Sequence, residues 1–491
     1  MSLPLPELRR GAAPLVEQLV RHFETAIQQG RYRPGDRLPP IREAAQRLAV
    51  TRATVQDAYR RLADAGVVSA TVGRGTIVTA AGGRDGASVF SAGAHAAWEQ
   101  LRGAPQSPSL PLGVEVVANL AELLPDQQQF PVAAFRDSLA RVLQDRGGEV
   151  LCYGHPLGSP DLRAELARRP EEADPRCDPD EILVTSGAQQ GIDLVLRTFT
   201  SPGDAVVVPV PTYHHLFGLL RAHGLELVPV AQDRSGLDLD ALVAALRRPD
   251  VRLLYVMPTF HNPTGRTLSL TQRQALVEAL TPTRVPVLED EFQRELRFAG
   301  EPLPSLRHLD PRGLTVTVRT FSKGLFPAVR TGWVRAARDV LSRMAALKRF
   351  TDLETSPLLQ AALVDFMAAG AFDRYVTSLR AELARRHATA RQTLAQAMPK
   401  RTAWSEPEGG FAAWVEPPAL DCEVLAQAAA ARGVLVTPGR VFQPGGEPQR
   451  GLRLSLSRVS CEAIRAGIEV LGECAHELLE RAHPARTRIF L

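Results

Sequence analysis

Only three lysines stand among the 58 basic residues of this chain: Lys323, Lys348 and Lys400. A side-chain amine that is to form a Schiff base with a carbonyl compound must be one of them. Lys348 falls in a charged helical stretch, Leu347-Lys348-Arg349, and Lys400 in a polar turn after Pro399. Lys323 differs. Thr320-Phe321-Ser322-Lys323-Gly324 follows the apolar run Leu314 to Val318, so its amine is expected at the carboxyl end of a strand, where open α/β sheets hold ligands. A second run, Val285 to Leu288, continues into Glu289-Asp290-Glu291 and puts Asp290 at the same sheet edge. A third, Ile182 to Val184, leads through Thr185-Ser186-Gly187-Ala188-Gln189 into a helix, a turn whose free backbone N–H groups suit a phosphate. Arg330, seven residues after Lys323, can add a cation, and Tyr213 in Pro211-Thr212-Tyr213 a flat face.

An amine, a carboxylate to keep a pyridine nitrogen protonated, a phosphate cradle and an aromatic plate are what pyridoxal 5′-phosphate (PLP) requires to act as an electron sink. Taken singly, these residues have plainer uses. Asp290 could cap a helix, Tyr153 and Tyr213 could fill a core, and Asn262-Pro263-Thr264-Gly265 is a common kind of turn. In order and spacing, the motifs resemble the fold-type I aminotransferases over roughly residues 115–470. The resemblance implies Lys323 as the internal aldimine and Asp290 at the pyridine nitrogen, the two catalytic residues, with Asn262 at the ring O3′ and Tyr213 on the ring. It implies Ser186, Gly187, Ala188, Gln189, Thr320 and Arg330 around the phosphate. Tyr153 of Tyr153-Gly154-His155-Pro156 would reach a phosphate from a partner subunit, and Arg453 of Leu452-Arg453-Leu454-Ser455 would grip a substrate carboxylate.

A second kind of chemistry is written near the N-terminus. The first eighty residues hold a dozen arginines against seven acidic residues, whereas the whole chain carries only +4. Such asymmetry suits a module that meets a polyanion. Apolar residues Leu15, Leu19, Phe23 and Ile27 predict a first helix from about residue 14 to 29. Pro39 and Pro40 open a second, with Ala44, Ala45 and Leu48 inward. Thr51 is placed to cap a third, whose apolar face is Val55, Ala58 and Leu62. Val67-Val68 and Ile77-Val78 then flank Gly73-Arg74-Gly75 as a hairpin. Helix, turn, helix and β-wing is an arrangement that lays a helix in the major groove. The third helix would present Thr51, Arg52 and Thr54 there, with Arg42 nearby and the hairpin tip reaching an adjacent groove. Each arginine alone fits a solvent-exposed structural role equally well. The series Pro34-Gly35-Asp36-Arg37-Leu38-Pro39, Arg42, Val50-Thr51-Arg52-Ala53-Thr54-Val55 and Gly73-Arg74-Gly75-Thr76 resembles the GntR family of bacterial regulators over about residues 12–79. That resemblance implies Arg42, Thr51, Arg52, Thr54, Gly73 and Arg74 at or near double-stranded DNA.

The elements that must position both sets fit the chain's length. Its 491 residues, 45% hydrophobic and 23% charged, suggest two or three globular domains. No run approaches the ~18 apolar residues of a membrane span, and no apolar segment follows Arg9 and Arg10 as a secretion signal requires. Five scattered cysteines without a CxxC pair favour neither disulfides nor a metal site, so a cytoplasmic protein without metal is expected. The fold expected is α/β: a winged helix-turn-helix over residues 11–80, a linker over 81–111 and a PLP-binding domain over 112–475. That domain would have a mostly parallel sheet and a smaller α+β part from about 387, followed by a tail over 476–491.

A GntR-type winged helix joined to a fold-type I aminotransferase-like domain resembles the MocR subgroup of regulators. This implies a homodimeric transcription regulator that binds DNA and PLP and senses PLP or an amino compound. The alternative is a working aminotransferase that carries a DNA-binding domain. Two departures bear on the choice. The subgroup often has Asp-Asp-Tyr where this chain has Asp290-Glu291-Phe292, which removes a phenol expected at O3′. Its His-Gln-aromatic-Pro pattern is here His261-Asn262-Pro263, closer to an aminotransferase.

Overall fold

Leu19, Phe23 and Ile27 recur at helical spacing and bury one stripe of helix α1 (Leu15–Gln28). The computed structural model describes residues 15–28, 31–32, 35–64, 67–71, 75–78, 109–111, 113–169, 177–234 and 236–482. Within them the chain forms two units, Met1–Gln100 and Leu101–Leu491. In the first, the short helix α2 (Ile41–Arg47) buries Ala44 and Ala45, while Leu48 is only half-buried. Helix α3 (Arg52–Asp64) is capped by Thr51, whose Oγ1 accepts from the Thr54 N–H at 3.2 Å. Val55, Ala58 and Leu62 are fully buried, and the Tyr59 hydroxyl donates to Pro39 O at 2.8 Å, fixing α3 against the start of α2. Strands β1 (Val68–Thr71) and β2 (Gly75–Val78) pair antiparallel as the expected hairpin. Its tip residues Gly73 and Arg74, and residues 81–108 of the expected linker, lie outside the described residues.

The second unit begins with a short strand, β3 (Ala118–Asn119). Its large sheet is made of β4 (Ile182–Thr185), β5 (Ala205–Val210), β6 (Glu226–Ala231), β7 (Val251–Val256), β8 (Val287–Asp290), β9 (Thr315–Thr320) and β10 (Gly332–Arg335). The order is β4-β10-β9-β8-β7-β5-β6, with β10 antiparallel to both neighbours and the others parallel. The three apolar runs picked out in the sequence, Ile182 to Val184, Val285 to Leu288 and Leu314 to Val318, fall on β4, β8 and β9. Strand β6 is an edge strand whose residues alternate between buried and exposed, which hides it from a search for apolar runs. Strands β8 and β9 run on to Asp290 and Thr320, so these residues end their strands instead of following them.

The smaller part has strands β11 (Ala403–Trp404), β12 (Ala412–Glu416), β13 (Val434–Leu435), β14 (Thr437–Pro438) and β15 (Leu452–Ser455), with β11-β12-β15-β14 as one sheet. Strand β13 pairs parallel with β3, and Ala118 and Leu120 share the core of Leu454, Ile464 and Ile468. The smaller part therefore recruits residues 118–120 as well as those after 387. The last helix, Cys461–Ala482, runs through residues 476–482, which the sequence reading assigned to a tail. Among the described residues, no helix is long and apolar enough to cross a membrane.

Candidate functional site

The carboxyl ends of the parallel strands open on a cavity of about 420 Å³, within the range of small-molecule sites. Strand β8 delivers Asp290, β9 delivers Thr320, and the turn after β9 delivers Lys323. The segments after β5 and β7 bring Tyr213 and Asn262, and β15 of the smaller part brings Arg453. Ala188, Gln189 and Arg330 line the same cavity.

Its polar groups are only partly satisfied. Asp290 is buried; Tyr255 donates to its Oδ2 at 2.7 Å, while Oδ1 is buried without a partner. Burial raises the Asp290 carboxyl to about 7, against the lowering effect of the Tyr255 hydrogen bond. Lys323 Nζ donates to Leu123 O at 2.8 Å. Burial first, then the positive charges of Arg453 and Arg330, lower its amine to about 8. Arg453 donates to Asn262 Oδ1 at 3.1 Å, Ala121 O at 2.5 Å and Thr437 Oγ1 at 3.2 Å, with its Nε buried and unpaired. Its guanidinium lies 5.0 Å from the Phe442 ring centroid.

A PLP molecule fits these groups. The orphaned Asp290 Oδ1 would accept from a protonated pyridine nitrogen, and Lys323 would offer the amine. At the turn expected to hold the phosphate, Gly187 has φ +91°, and a Cβ there would stand 2.8 Å from Arg330 Nη2, so glycine lets the guanidinium close on the turn. Arg330 itself is in the left-handed region, φ 45°, and donates to Ser186 O at 2.8 Å. The helix Ala188–Phe199 starts at this point.

Not every expected residue meets at the cavity. Ser186 and Gly187 lie just outside its lining, and the Ser186 hydroxyl donates to Asp352 Oδ2 at 2.9 Å, a carboxylate shared with Gln190 and Lys348. That ion pair occupies Lys348, which is buried, while Lys400 is exposed in a turn. Tyr153 is 83% exposed and absent from the lining. Phe292 does line the cavity, with no hydroxyl to offer. The sequence reading missed His214 and His215, whose ring centroids lie 4.2 Å apart at a tilt of 39° at the cavity wall, and residues 121–124, whose Ala121 and Leu123 carbonyls accept from Arg453 and Lys323. The histidines were visible beside Tyr213. Burial, His215 and Arg453 push the His214 imidazole down to about 3, so it is neutral. Among the described residues, no group of three or more His, Cys, Asp or Glu side chains is arranged to hold a metal ion.

In the first unit, Arg42, Thr51 and Arg52 are exposed and Thr54 is half-buried; the Thr51 and Thr54 hydroxyls are 2.8 Å apart. Neighbouring arginines are engaged: Arg47 with Glu43, Arg60 and Arg61 with Asp57. Arg42 and Arg52 have no such partner among the described residues. Gly73 and Arg74 lie outside them.

Two families match the chain, the class I and II aminotransferases over residues 118–471 and the bacterial regulatory proteins of the gntR family over residues 15–78. The HTH-type transcriptional regulator TauR of Rhodobacter capsulatus is 32% identical over 93% of this chain and 96% of its own. The HTH-type transcriptional regulator YdcR of Escherichia coli is 30% identical over 94% of this chain and 99% of its own. Among solved structures, LysN, the α-aminoadipate aminotransferase of Thermus thermophilus, superposes with a TM-score of 0.70 and 30% identity, covering 80% of this chain and 99% of LysN. The buried amine and carboxylate at the strand ends, and the exposed arginines of the helix-turn-helix, agree with these matches: the chain belongs to the class I and II aminotransferase family, whose cofactor is PLP, fused to a GntR-family DNA-binding domain in the MocR-type arrangement of transcription regulators.

Proposed function

We propose that this protein is a PLP-responsive regulator that holds PLP covalently through Lys323 and changes its grip on DNA with the state of that pocket. The observation that carries this reading is the buried, unpartnered Oδ1 of Asp290 in one cavity with Lys323 and Arg453. A lone buried acceptor is costly, and a protonated pyridine nitrogen is the donor that relieves it. PLP, when bound, supplies an electron sink for amine chemistry. The chain's own residues do the rest. Lys323, brought down to about 8, keeps a usable fraction of neutral amine near neutral pH. Asp290 holds the pyridine proton, Asn262 and Thr320 stand at the ring and phosphate sides, and Tyr213 offers its face. Ser186, Gly187, Ala188 and Gln189 frame the phosphate turn with Arg330. Arg453 is poised for the carboxylate of an amino compound.

Tyr153, exposed in one chain, is available to a second, which supports a homodimer with two DNA-binding units as the working form. Arg42, Thr51, Arg52 and Thr54, with Gly73 and Arg74, are the DNA contacts, and the protein acts in the cytoplasm. PLP or an amino compound favours one dimer arrangement over another and so shifts DNA affinity. A second reading, turnover as an aminotransferase, is favoured by one observation: Arg453 completes the substrate side of the pocket. LysN, similar over this domain, was solved with N-(5′-phosphopyridoxyl)-L-leucine bound.

The test is borohydride trapping of added PLP followed by peptide mapping, paired with footprinting of DNA upstream of neighbouring genes, with and without PLP. Label on Lys323 alone and a PLP-dependent footprint that is lost on deleting residues 1–80 are expected. Label on Lys348 or Lys400, or a footprint that survives the deletion, overturns the reading. Rapid conversion of an amino acid, about 1–1000 per second, promotes the second.

A further inference from the structure

The turn expected to hold the phosphate is braced from behind by residues that do not line the cavity. Ser186 is gripped at three atoms. Its carbonyl accepts from Arg330 Nη2 at 2.8 Å, its N–H donates to Gln190 Oε1 at 2.7 Å, and its hydroxyl donates to Asp352 Oδ2 at 2.9 Å. Gln190 closes the ring, because its Nε2 donates to the same Asp352 oxygen at 2.7 Å. Both donors of Ser186 are thus committed within the protein, and a phosphate dianion, which only accepts, must look to the residues that follow. Gly187, Ala188 and Gln189 lead into the helix Ala188–Phe199, whose first N–H groups have no partner within the helix. Ala188, Gln189 and Arg330 line the cavity.

The far anchor of this brace is an ion pair. Asp352 lies in the turn after the helix Arg338–Arg349, and Lys348 fixes it twice. The Lys348 carbonyl accepts from the Asp352 N–H at 3.1 Å, and its Nζ donates to Asp352 Oδ1 at 2.8 Å. Lys348 is only 1% exposed. Replacing a buried ion pair with apolar groups is often neutral for stability, so the effect of this pair is to be sought in direction and in sign. In direction, a carboxylate pinned at Oδ1 offers Oδ2 to Ser186 and Gln190 in one orientation. In sign, an uncompensated Asp352 carboxylate one hydrogen bond behind the turn would oppose a phosphate dianion. Beside Lys348 its charge is cancelled, and Arg330 and the helix start act on the phosphate unopposed.

We propose that Lys348 and Asp352 are positioning residues for the phosphate turn, and that this neutral pair sets how strongly the pocket prefers a phosphorylated pyridoxal to pyridoxal itself. The inference rests on the reading of the pocket as a PLP site. Lys348 has a part distinct from that of Lys323: it does not line the cavity and acts through Asp352, Gln190 and Ser186.

The experiment uses the PLP-free full chain. PLP and pyridoxal, which share the ring and differ in the phosphate, are each titrated by absorbance, and inorganic phosphate by calorimetry. Lys348→Met should weaken PLP and inorganic phosphate about tenfold each, while pyridoxal changes by less than about twofold. Adding Asp352→Asn to Lys348→Met removes both charges, keeps an oxygen for Ser186, and should recover most of the loss. Gln190→Met keeps the ion pair but releases the turn, and should weaken PLP about threefold and leave pyridoxal unchanged. Should Lys348→Met lose its circular dichroism signal, the contrast between PLP and pyridoxal in Gln190→Met decides alone. Equal losses for PLP and pyridoxal, or no loss for either, overturn the positioning role. A double variant as weak as Lys348→Met overturns the argument from charge. Were the PLP reading itself wrong, borohydride would trap no PLP on Lys323 of the parent protein, while Lys348-dependent binding of inorganic phosphate persisted.

Discussion

The two units of this protein display their working groups in opposite ways. On the helix-turn-helix, Arg42 and Arg52 stand in water beside arginines that are already ion-paired. In the cofactor pocket, Asp290, Asn262 and Arg453 are each at most 5% exposed, and two of them keep a buried polar atom without a partner. An exposed arginine costs the fold almost nothing before its ligand arrives, so its presence argues only weakly for a ligand. A buried unpaired carboxylate oxygen destabilises the protein until something meets it. The pocket therefore advertises its ligand through energetics, and the DNA face through pattern alone.

The sharpest way to break this comparison is Asp290→Asn. The Asp290 carboxyl is held at about 7, above its ordinary 3.8, chiefly by burial. The PLP-free folded state thus binds this proton more tightly than the unfolded chain. Its benefit is complete below about pH 4 and is lost as pH rises through 7. At about 1.4 kcal/mol per pH unit, the burden above pH 7 is on the order of 4 kcal/mol. Asparagine removes it. Urea unfolding of PLP-free protein should show the variant gaining more stability at pH 8 than at pH 5, while its PLP affinity falls. A variant equally stable at both pH values would mean that the carboxylate is not strained.

On the other side, Arg52→Ala and Arg42→Ala should each cost about 1–3 kcal/mol in specific DNA binding. Neither should alter PLP trapping on Lys323. Binding should weaken steeply with salt, because arginines displace counterions from phosphates. Arg60→Ala, which removes a guanidinium already paired with Asp57, is the matched control and should change affinity far less. Equal losses from all three in mobility-shift titrations would assign the effect to net charge and not to these contacts.

What was legible in the sequence follows the same division. Lys323 and Asp290 could be placed because an apolar run followed by a polar residue marks the carboxyl end of a buried strand. Helices α1 and α3 could be placed because Leu19, Phe23, Val55 and Leu62 repeat at the helical period. Tyr255 could not be recognised as Asp290's partner, since a tyrosine inside an apolar strand reads as core. Leu123 holds Lys323 through its carbonyl, a group every residue has. The recruitment of residues 118–120 to the smaller part depends on the parallel pairing of β3 with β13, whose partner lies more than 300 residues away in the chain. The Ser186 hydroxyl donates to Asp352, 166 residues away in the chain, a pairing that no local pattern reveals. Composition and periodicity report what a residue prefers to bury, not which distant group it meets.

The smallest effect tests whether burial, and not the motif, sets the reactivity of the pocket. An ordinary lysine amine titrates at 10.5, and Lys323 is brought down to about 8 by burial first and then by the charges of Arg453 and Arg330. At pH 7 about a tenth of Lys323 is then the neutral nucleophile, against less than about a thousandth of an ordinary lysine. The rate of PLP uptake by PLP-free protein should rise about tenfold per pH unit from pH 6 and level off near pH 8. The sign for stability agrees. The unfolded chain keeps this proton longer than the folded one, so folding gains as pH rises from about 8 to 10.5. Arg453→Gln removes one like charge and leaves burial, the larger cause, in place. Its uptake profile should therefore keep its shape and move to higher pH by less than about one unit. Stopped-flow absorbance across about pH 6–10 reads both proteins. A parent profile still climbing at pH 9.5 would show Lys323 to be a solvated lysine, and the contrast between a strained pocket and a relaxed DNA face would fail at its most reactive residue.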